Sequence, residues 1–121
     1  MTVPLPPHHA VGAALAGMRV VIGTEKATQS AIADVFERKG VPFLREHRLS
    51  ARDIPDFFAF GEVAVEVKVG GAKAAIGRQL ARYAEHADVK ALVLITNVAV
   101  DLPATIGGKP LTVFSLGAAW L

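Results

Sequence analysis

Two carboxylates and a lysine near the middle of the chain are the residues best suited to chemistry. Asp56 follows Pro55 and, after nine intervening residues, Glu66 and Lys68 flank a single valine. Successive side chains of a β-strand point to opposite faces, so Glu66 and Lys68 of the apolar stretch 63–69 share one face. We expect so apolar a strand to be buried, where charged groups are costly unless they are paired or bind a metal. Asp56 can supply a second carboxylate to such a site.

Two short strands joined by a tight turn are predicted to carry these residues. The segments 54–60 and 63–69 are rich in the β-branched and aromatic residues that strands favour, and Gly61-Glu62 separates them. Alternatively, the hairpin has one ordinary salt bridge and no metal site, which would explain the same three charges. The neighbouring elements must therefore distinguish a metal site from a structural salt bridge.

The spacing of the charged residues also resembles a known signature. Pro55-Asp56, nine residues, and then Glu66-Val67-Lys68 resembles the motif of the PD-(D/E)XK nuclease superfamily. That resemblance implies that Asp56, Glu66 and the backbone carbonyl of Val67 bind Mg²⁺ or Mn²⁺. It also implies that Lys68 positions or activates the attacking water and counters the charge that develops on the phosphate.

The helix predicted before the hairpin extends the resemblance. Apolar residues recur at helical spacing between Thr24, a suitable cap, and Gly40, a suitable stop. Glu25 in its first turn is similar to the glutamate that superfamily members direct at the metal site. The alternative is that Glu25 only complements the helix dipole, as acidic residues in a first turn often do.

A second helix, predicted at 72–87, carries a further motif. Gln79 and Tyr83 have the QxxxY spacing found in superfamily members related to helicase-coupled exonucleases, and Arg78 and Arg82 form a parallel stripe. Because like charges four residues apart repel slightly, a shared anionic partner such as a phosphate would explain the stripe. On the resemblance, Gln79 orients Lys68 or the phosphate. The alternative places Tyr83 in the core and the arginines in solvent.

Other basic residues are candidates for contacts with nucleic acid. A strand is predicted at 41–49, with Arg45 and either His47 or Arg48 pointing outward. We predict that six residues bind the nucleic-acid backbone: Arg45, Arg48, Lys73, Arg78, Arg82 and Tyr83. The alternative is that these basic residues only form a solvent-exposed edge of the sheet.

The predicted order of elements indicates the fold. Helix, strand, strand, strand, helix and strand over residues 24–97 match an α/β, restriction-endonuclease-like core, in which helices flank a central mixed sheet. Further strands are predicted at 18–22 and 111–116, with a loop at 103–110 and a loose arm at 1–9. At 121 residues we expect a single nuclease-like domain over 1–121. Its size and layout most resemble the virus-type replication-repair nucleases and the Holliday-junction resolvases.

Composition narrows the possible functions. The absence of cysteine excludes a disulfide framework, a thiol nucleophile and an iron–sulfur cluster. A net charge of +2 is mild, but it is compatible with a local basic face. Hydrophobic residues make up 52% of the chain, which favours a homo-oligomer such as a dimer. No apolar run approaches the length of a membrane span, so we expect a soluble cytoplasmic protein.

The resulting hypothesis is a Mg²⁺- or Mn²⁺-dependent deoxyribonuclease, most simply an endonuclease acting on DNA that is structured or branched. Two other classes account for the same residues. One is a nucleic-acid-binding or assembly protein that keeps the nuclease fold without catalysis. The other is an unrelated α/β interaction domain in which the charged residues form salt bridges only.

Overall fold

A computed structural model describes residues 5–16 and 23–116. Within these ranges the chain is a mixed α/β fold with three helices and a six-stranded mixed sheet. The helices are α1 (Pro7–Leu15), α2 (Glu25–Lys39) and α3 (Lys73–Ala84). The strands are β1 (Phe43–Arg45), β2 (Phe57–Ala59), β3 (Val63–Lys68), β4 (Ala91–Thr96), β5 (Thr105–Ile106) and β6 (Lys109–Ser115). The strand predicted at 18–22 and the apolar residues 118–121 lie outside the described ranges.

The sheet has the strand order β1-β2-β3-β4-β6-β5. Neighbouring strands are antiparallel from β1 to β3, parallel from β3 through β4 to β6, and antiparallel again between β6 and β5. Every residue of β4 is buried, and in β3 only Lys68 is partly exposed. The position of β3 inside the sheet thus confirms that the strand bearing Glu66 is buried on both faces.

Helices cover the two faces of the sheet. Side chains of α1 and α2 pack with Val63, Val65 and Val67 of β3, whereas α3 packs on the face that carries Ala64. Because side chains alternate along a strand, Glu66 and Lys68 point to the same side as Ala64. The two charged residues therefore lie on the α3 side of the sheet.

Local signals explain the boundaries of α2. The Thr24 hydroxyl accepts a hydrogen bond of 3.1 Å from the Ala27 amide, which satisfies one of the donors that a helix start leaves open. The helix ends at Gly40, whose φ of 72° is in the left-handed region that glycine adopts without a steric penalty. Both boundaries confirm the prediction.

None of the helices in the described ranges is long and apolar enough to cross a membrane.

Several predicted boundaries need correction. The first helix begins at Pro7, so residues 7–9 belong to it rather than to a loose arm, as proline at the first position of a helix allows. The helix predicted at 72–87 ends at Ala84. The segment 103–110 contains β5 rather than only a loop: Gly107 and Gly108 both have positive φ and form the tight turn between β5 and β6.

The strands before β3 are shorter than predicted. Of the segment 41–49 only Phe43–Arg45 is strand, because Glu46 takes a positive φ of 51° and turns the chain. Of the segment 54–60 only Phe57–Ala59 is strand, since Pro55 cannot donate to the sheet ladder. Asp56 consequently stands just before β2, where its side chain can meet β3.

Candidate active site

Glu66 and Lys68 form an ion pair at the carboxyl end of β3. Lys68 Nζ lies 3.1 Å from Glu66 Oε2. Glu66 is only 3% exposed, whereas the Lys68 side chain is 25% exposed and reaches solvent. The alternation of β3 places Glu66 and Lys68 on one face, as predicted, and the structure shows that Lys68 also reaches solvent.

Asp56 lies beside this pair. Its carboxylate oxygen Oδ2 accepts a hydrogen bond of 2.8 Å from the Val67 amide, and its own amide donates to Glu66 Oε1 at 3.3 Å. A further hydrogen bond of 2.9 Å, from the Glu46 amide to the Asp56 carbonyl, holds the backbone in place. The structure therefore brings Asp56, Glu66 and Lys68 together.

Both carboxyl groups have raised pKa values. Burial, followed by the charge of Glu66, raises the pKa of Asp56 from its ordinary 3.8 to about 7. Burial likewise raises the pKa of Glu66, although Lys68 acts against that shift. The Glu25 carboxylate adds to the shift at Asp56. Three carboxylates thus act on a site that has one lysine, an excess of negative charge that a bound cation would relieve.

The backbone carbonyl of Val67 faces the same site. The N–H and C=O groups of one residue in an antiparallel strand point to the same neighbour, and the Val67 N–H points to Asp56. The pairing of β2 with β3 runs from Ala59–Val63 to Phe57–Val65 and so ends before Val67. The Val67 carbonyl therefore lies on the side of β3 that faces Asp56.

Tyr83 and Gln79 of α3 support Glu66 rather than contacting a ligand themselves. Gln79 Nε2 donates to the Tyr83 hydroxyl at 2.9 Å, and that hydroxyl donates to Glu66 Oε1 at 3.0 Å. Tyr83 is only 1% exposed, so its ring is not available for the nucleic-acid contact that we predicted. Gln79 donates to Tyr83, whereas the prediction was that it orients Lys68 or the phosphate. The QxxxY spacing does place both residues on the face of α3 that meets the site.

Glu25 is near the site but has a different partner. Its Oε1 accepts a hydrogen bond of 3.2 Å from the Val69 amide, at the end of β3. Across residues 5–16 and 23–116, no three His, Cys, Asp or Glu side chains are close enough to share a metal ion. Glu25 is therefore bound to the amide of Val69 and acts on Asp56 through its charge.

The predicted nucleic-acid-binding residues do not form one cluster. Arg82 Nε donates to Asp53 Oδ1 at 3.0 Å. The Arg45 guanidinium lies 5.7 Å from the centre of the Phe57 ring, which belongs to the α1–α2 face, opposite Glu66. Arg48 Nη1 donates to the Ala51 carbonyl at 3.4 Å.

Three of the basic candidates, Lys73, Arg78 and Arg82, are on α3, which covers the side of the sheet that carries Glu66. The side chains of Lys73 and Arg78 are exposed to solvent, whereas Arg82 is bound to Asp53.

Sequence reasoning missed two residues next to the site, Asp53 and His86. Asp53 is 7% exposed, and its Oδ2 lies 2.9 Å from His86 Nε2. The Arg78–Arg82 stripe had pointed to a shared anionic partner, and the structure gives Arg82 such a partner, which it shares with His86 in the turn after α3. That partner is Asp53, an acid of the chain itself.

Comparisons of the chain with protein-family models, with curated proteins and with solved structures found no match. The functional interpretation therefore rests on the geometry of the site and on the resemblance of its motif.

Proposed function

We propose that this protein is a metal-dependent nuclease that hydrolyses phosphodiester bonds in DNA. The observation that carries the proposal is the meeting of Asp56 with Glu66 and Lys68 of the buried strand β3, where both carboxyl groups have raised pKa values. A buried arrangement of like charges destabilises a fold, and such arrangements are concentrated at functional sites. A simple Glu66–Lys68 salt bridge does not explain why Asp56 is placed against the same pair.

The donor atoms fit a hard divalent cation. Asp56 and Glu66 offer carboxylate oxygens and Val67 a carbonyl oxygen, which are ligands that suit Mg²⁺ and Mn²⁺. Mg²⁺ commonly keeps several water ligands and needs only one or two carboxylates, so a third acid such as Glu25 is not required in direct contact. When bound, the cation would offset the charge of the carboxylates and polarise the scissile phosphate.

The surrounding residues have separate roles in this proposal. Lys68 lies beside Glu66 and reaches solvent, where its ammonium group can stabilise the negative charge that develops on the phosphate oxygens. Tyr83, held by Gln79, donates to Glu66 and fixes the direction of its carboxylate. The charge of Glu25 keeps the site negative and so favours binding of a cation.

The order of elements supports a restriction-endonuclease-like core. The segment from α2 through β1, β2, β3 and α3 to β4 follows the order of helices and strands expected for that fold. Exposed Lys73 and Arg78 on α3 would bind the DNA backbone on the side of the sheet that carries Glu66.

A cleavage assay tests the proposal. Labelled duplex, single-stranded, nicked and branched DNA are incubated with the protein in Mg²⁺, in Mn²⁺ and in a chelator, alongside Lys68→Met prepared in the same way. We expect cleavage by the wild type that requires the divalent cation and that the variant lacks. DNA binding without cleavage in any metal would favour a non-catalytic nucleic-acid-binding protein, and the absence of both would favour an unrelated interaction domain.

We also propose that the protein acts as a homo-oligomer, because 52% of its residues are hydrophobic and a junction nuclease needs two sites to cut two strands. Sedimentation equilibrium at micromolar concentration tests this. A monomer that still cuts both strands of a duplex would contradict it.

A further inference from the structure

We infer that Asp53, held by Arg82 and His86 of the segment that includes α3, is a positioning residue that keeps Asp56 against Glu66. The catalytic consequence of this arrangement rests on the proposed nuclease function, whereas the structural coupling can be measured without it. Asp53 itself is not directed at the carboxylate site, and it acts through the backbone that it shares with Asp56.

Both oxygens of the Asp53 carboxylate have partners. Arg82 Nε is 3.0 Å from Oδ1, and His86 Nε2 is 2.9 Å from Oδ2. The hydrogen bond with His86, together with the one from Arg82, lowers the pKa of Asp53, so its carboxylate is ionised at neutral pH. Because an ionised carboxylate can only accept hydrogen bonds, His86 Nε2 is the donor. Two donors on two oxygens fix both the position and the orientation of this carboxylate.

The backbone of Asp53 is equally well held. Its carbonyl accepts a hydrogen bond of 2.9 Å from the Leu49 amide, and its amide donates to the Ser50 hydroxyl at 3.0 Å. Asp56 follows three residues later, and Pro55 between them has a restricted φ. The anchor at Asp53 therefore limits where the backbone of Asp56 can lie.

The same helix also holds the other carboxylate. Tyr83, the neighbour of Arg82 in sequence, donates from its hydroxyl to Glu66 Oε1 at 3.0 Å. Residues 82, 83 and 86 thus connect α3 and the turn after it to the chain before Asp56 and to the strand that bears Glu66. The distance between the two acids is set through this segment as well as by the direct contact between them.

This arrangement gives Arg82 a role different from that of Arg78. Arg82 directs its Nε to an acid of the chain, whereas Arg78, one turn earlier on α3, is exposed to solvent. If both only bound phosphate, replacing either would have the same effect. Under the positioning role, Arg82→Gln changes the carboxylate site and Arg78→Gln does not.

Amide hydrogen exchange at Val67 is the direct test, because this amide donates to Asp56 Oδ2. We expect Asp53→Asn and Arg82→Gln to accelerate exchange at Val67 by roughly tenfold or more, as expected for loss of hydrogen bonds to charged groups. Exchange at the buried amides of β4 should change much less. If Asp53→Asn does not fold, Arg82→Gln provides the same measurement with Asp53 still bound to His86.

Two control variants distinguish a specific effect on the position of Asp56 from a general destabilisation of the fold. Arg78→Gln removes an exposed charge from the same helix, and Arg38→Gln removes an exposed charge from α2 on the other face of the sheet. Neither control should change exchange at Val67. Equal acceleration in Arg38→Gln and Asp53→Asn, or no acceleration in a folded Asp53→Asn, would overturn the inference.

Titration with Mn²⁺ and cleavage kinetics extend the test to function. In Arg82→Gln we expect weaker Mn²⁺ binding and a lower kcat, with little change in the KM for DNA. In Arg78→Gln we expect a higher KM for DNA, with little change in Mn²⁺ binding and kcat. A wild type that neither binds Mn²⁺ nor cleaves DNA would refute the proposed function, and exchange at Val67 would still decide whether Asp53 positions Asp56.

Discussion

The carboxylate of Asp56 accepts a hydrogen bond of 2.8 Å from the backbone amide of Val67. The Val67 amide thus donates to a side chain instead of to a backbone carbonyl of β2, because β2 begins only after Asp56. The position of one acid therefore depends on the strand that bears the other. This relationship makes the site sensitive to changes in either segment, and it sets the following predictions.

The pH dependence of stability should reveal the raised pKa of Asp56. Its carboxyl group titrates near 3.8 when unfolded and at about 7 in the fold, so between these values the folded state holds the extra proton. Stability should fall as pH rises from about 4 to about 7 and then level off. The raised pKa of Glu66 acts in the same direction. Urea unfolding at a series of pH values measures the effect.

Asp56→Asn is the matched variant for this experiment, because asparagine has the same shape and no carboxyl proton to lose. Its stability should depend less on pH in this range and should exceed that of the wild type above about pH 7. Identical pH profiles for the two proteins would show that Asp56 ionises as an exposed aspartate does.

Binding of a divalent cation should release protons. A cation requires ionised carboxylates, and at pH 6 the carboxyl group of Asp56 is mostly protonated. Affinity for Mn²⁺ should therefore rise with pH until about 7, the pKa of Asp56. Calorimetry in two buffers with different ionisation enthalpies counts the released protons. A heat of binding that does not depend on the buffer would contradict the prediction.

Glu66→Gln and Lys68→Met should separate metal binding from catalysis. Loss of an anionic oxygen in Glu66→Gln should weaken both Mn²⁺ binding and cleavage. Lys68→Met should keep the metal and lower cleavage by about two orders of magnitude or more, through loss of charge stabilisation in the transition state. Calorimetry and cleavage of labelled DNA are compared for both. If both variants only unfold at lower temperature, and no protein shows a metal dependence, the pair is a structural salt bridge.

Tyr83→Phe should perturb Glu66 while the packing of the ring is preserved. Loss of a hydroxyl that donates to a buried carboxyl group should cost about 1–3 kcal/mol of stability. It should also raise the pKa of Glu66 further, because that hydrogen bond lowers it. Gln79→Leu removes only the outer hydrogen bond and should have a smaller effect. Thermal unfolding measures the change in stability, and a carbon-detected titration measures the change in the pKa of Glu66. A larger change in either for Gln79→Leu than for Tyr83→Phe would contradict the proposal that Gln79 acts on Glu66 through Tyr83.

Replacing Lys73 and Arg78 together should weaken DNA binding without regard to sequence. Each phosphate contact that is lost should reduce the slope of log affinity against log salt by about one. The matched control is Arg38→Gln, which removes an exposed charge from α2 on the opposite face of the sheet. Fluorescence anisotropy at several salt concentrations gives the slopes. Equal slopes for the wild type and the double variant would place both side chains outside the DNA interface.

The sequence by itself determined the features that depend on local spacing. Alternation along β3 put Glu66 and Lys68 on one face, and the cap at Thr24 with the stop at Gly40 bounded α2. Such features follow from the geometry of a single element, so no other part of the chain has to be known.

Only the tertiary structure decided which partner each polar side chain has. Arg82 binds Asp53, which precedes it by 29 residues, and Tyr83 points to Glu66 instead of outward. Likewise, only the pairing of β2 with β3, which ends at Phe57 and Val65, leaves the Val67 amide to the side chain of Asp56. The physical reason is that such contacts depend on how α3 lies across the sheet and on where strand pairing stops. Packing of the whole chain sets both, and no spacing within one element encodes them.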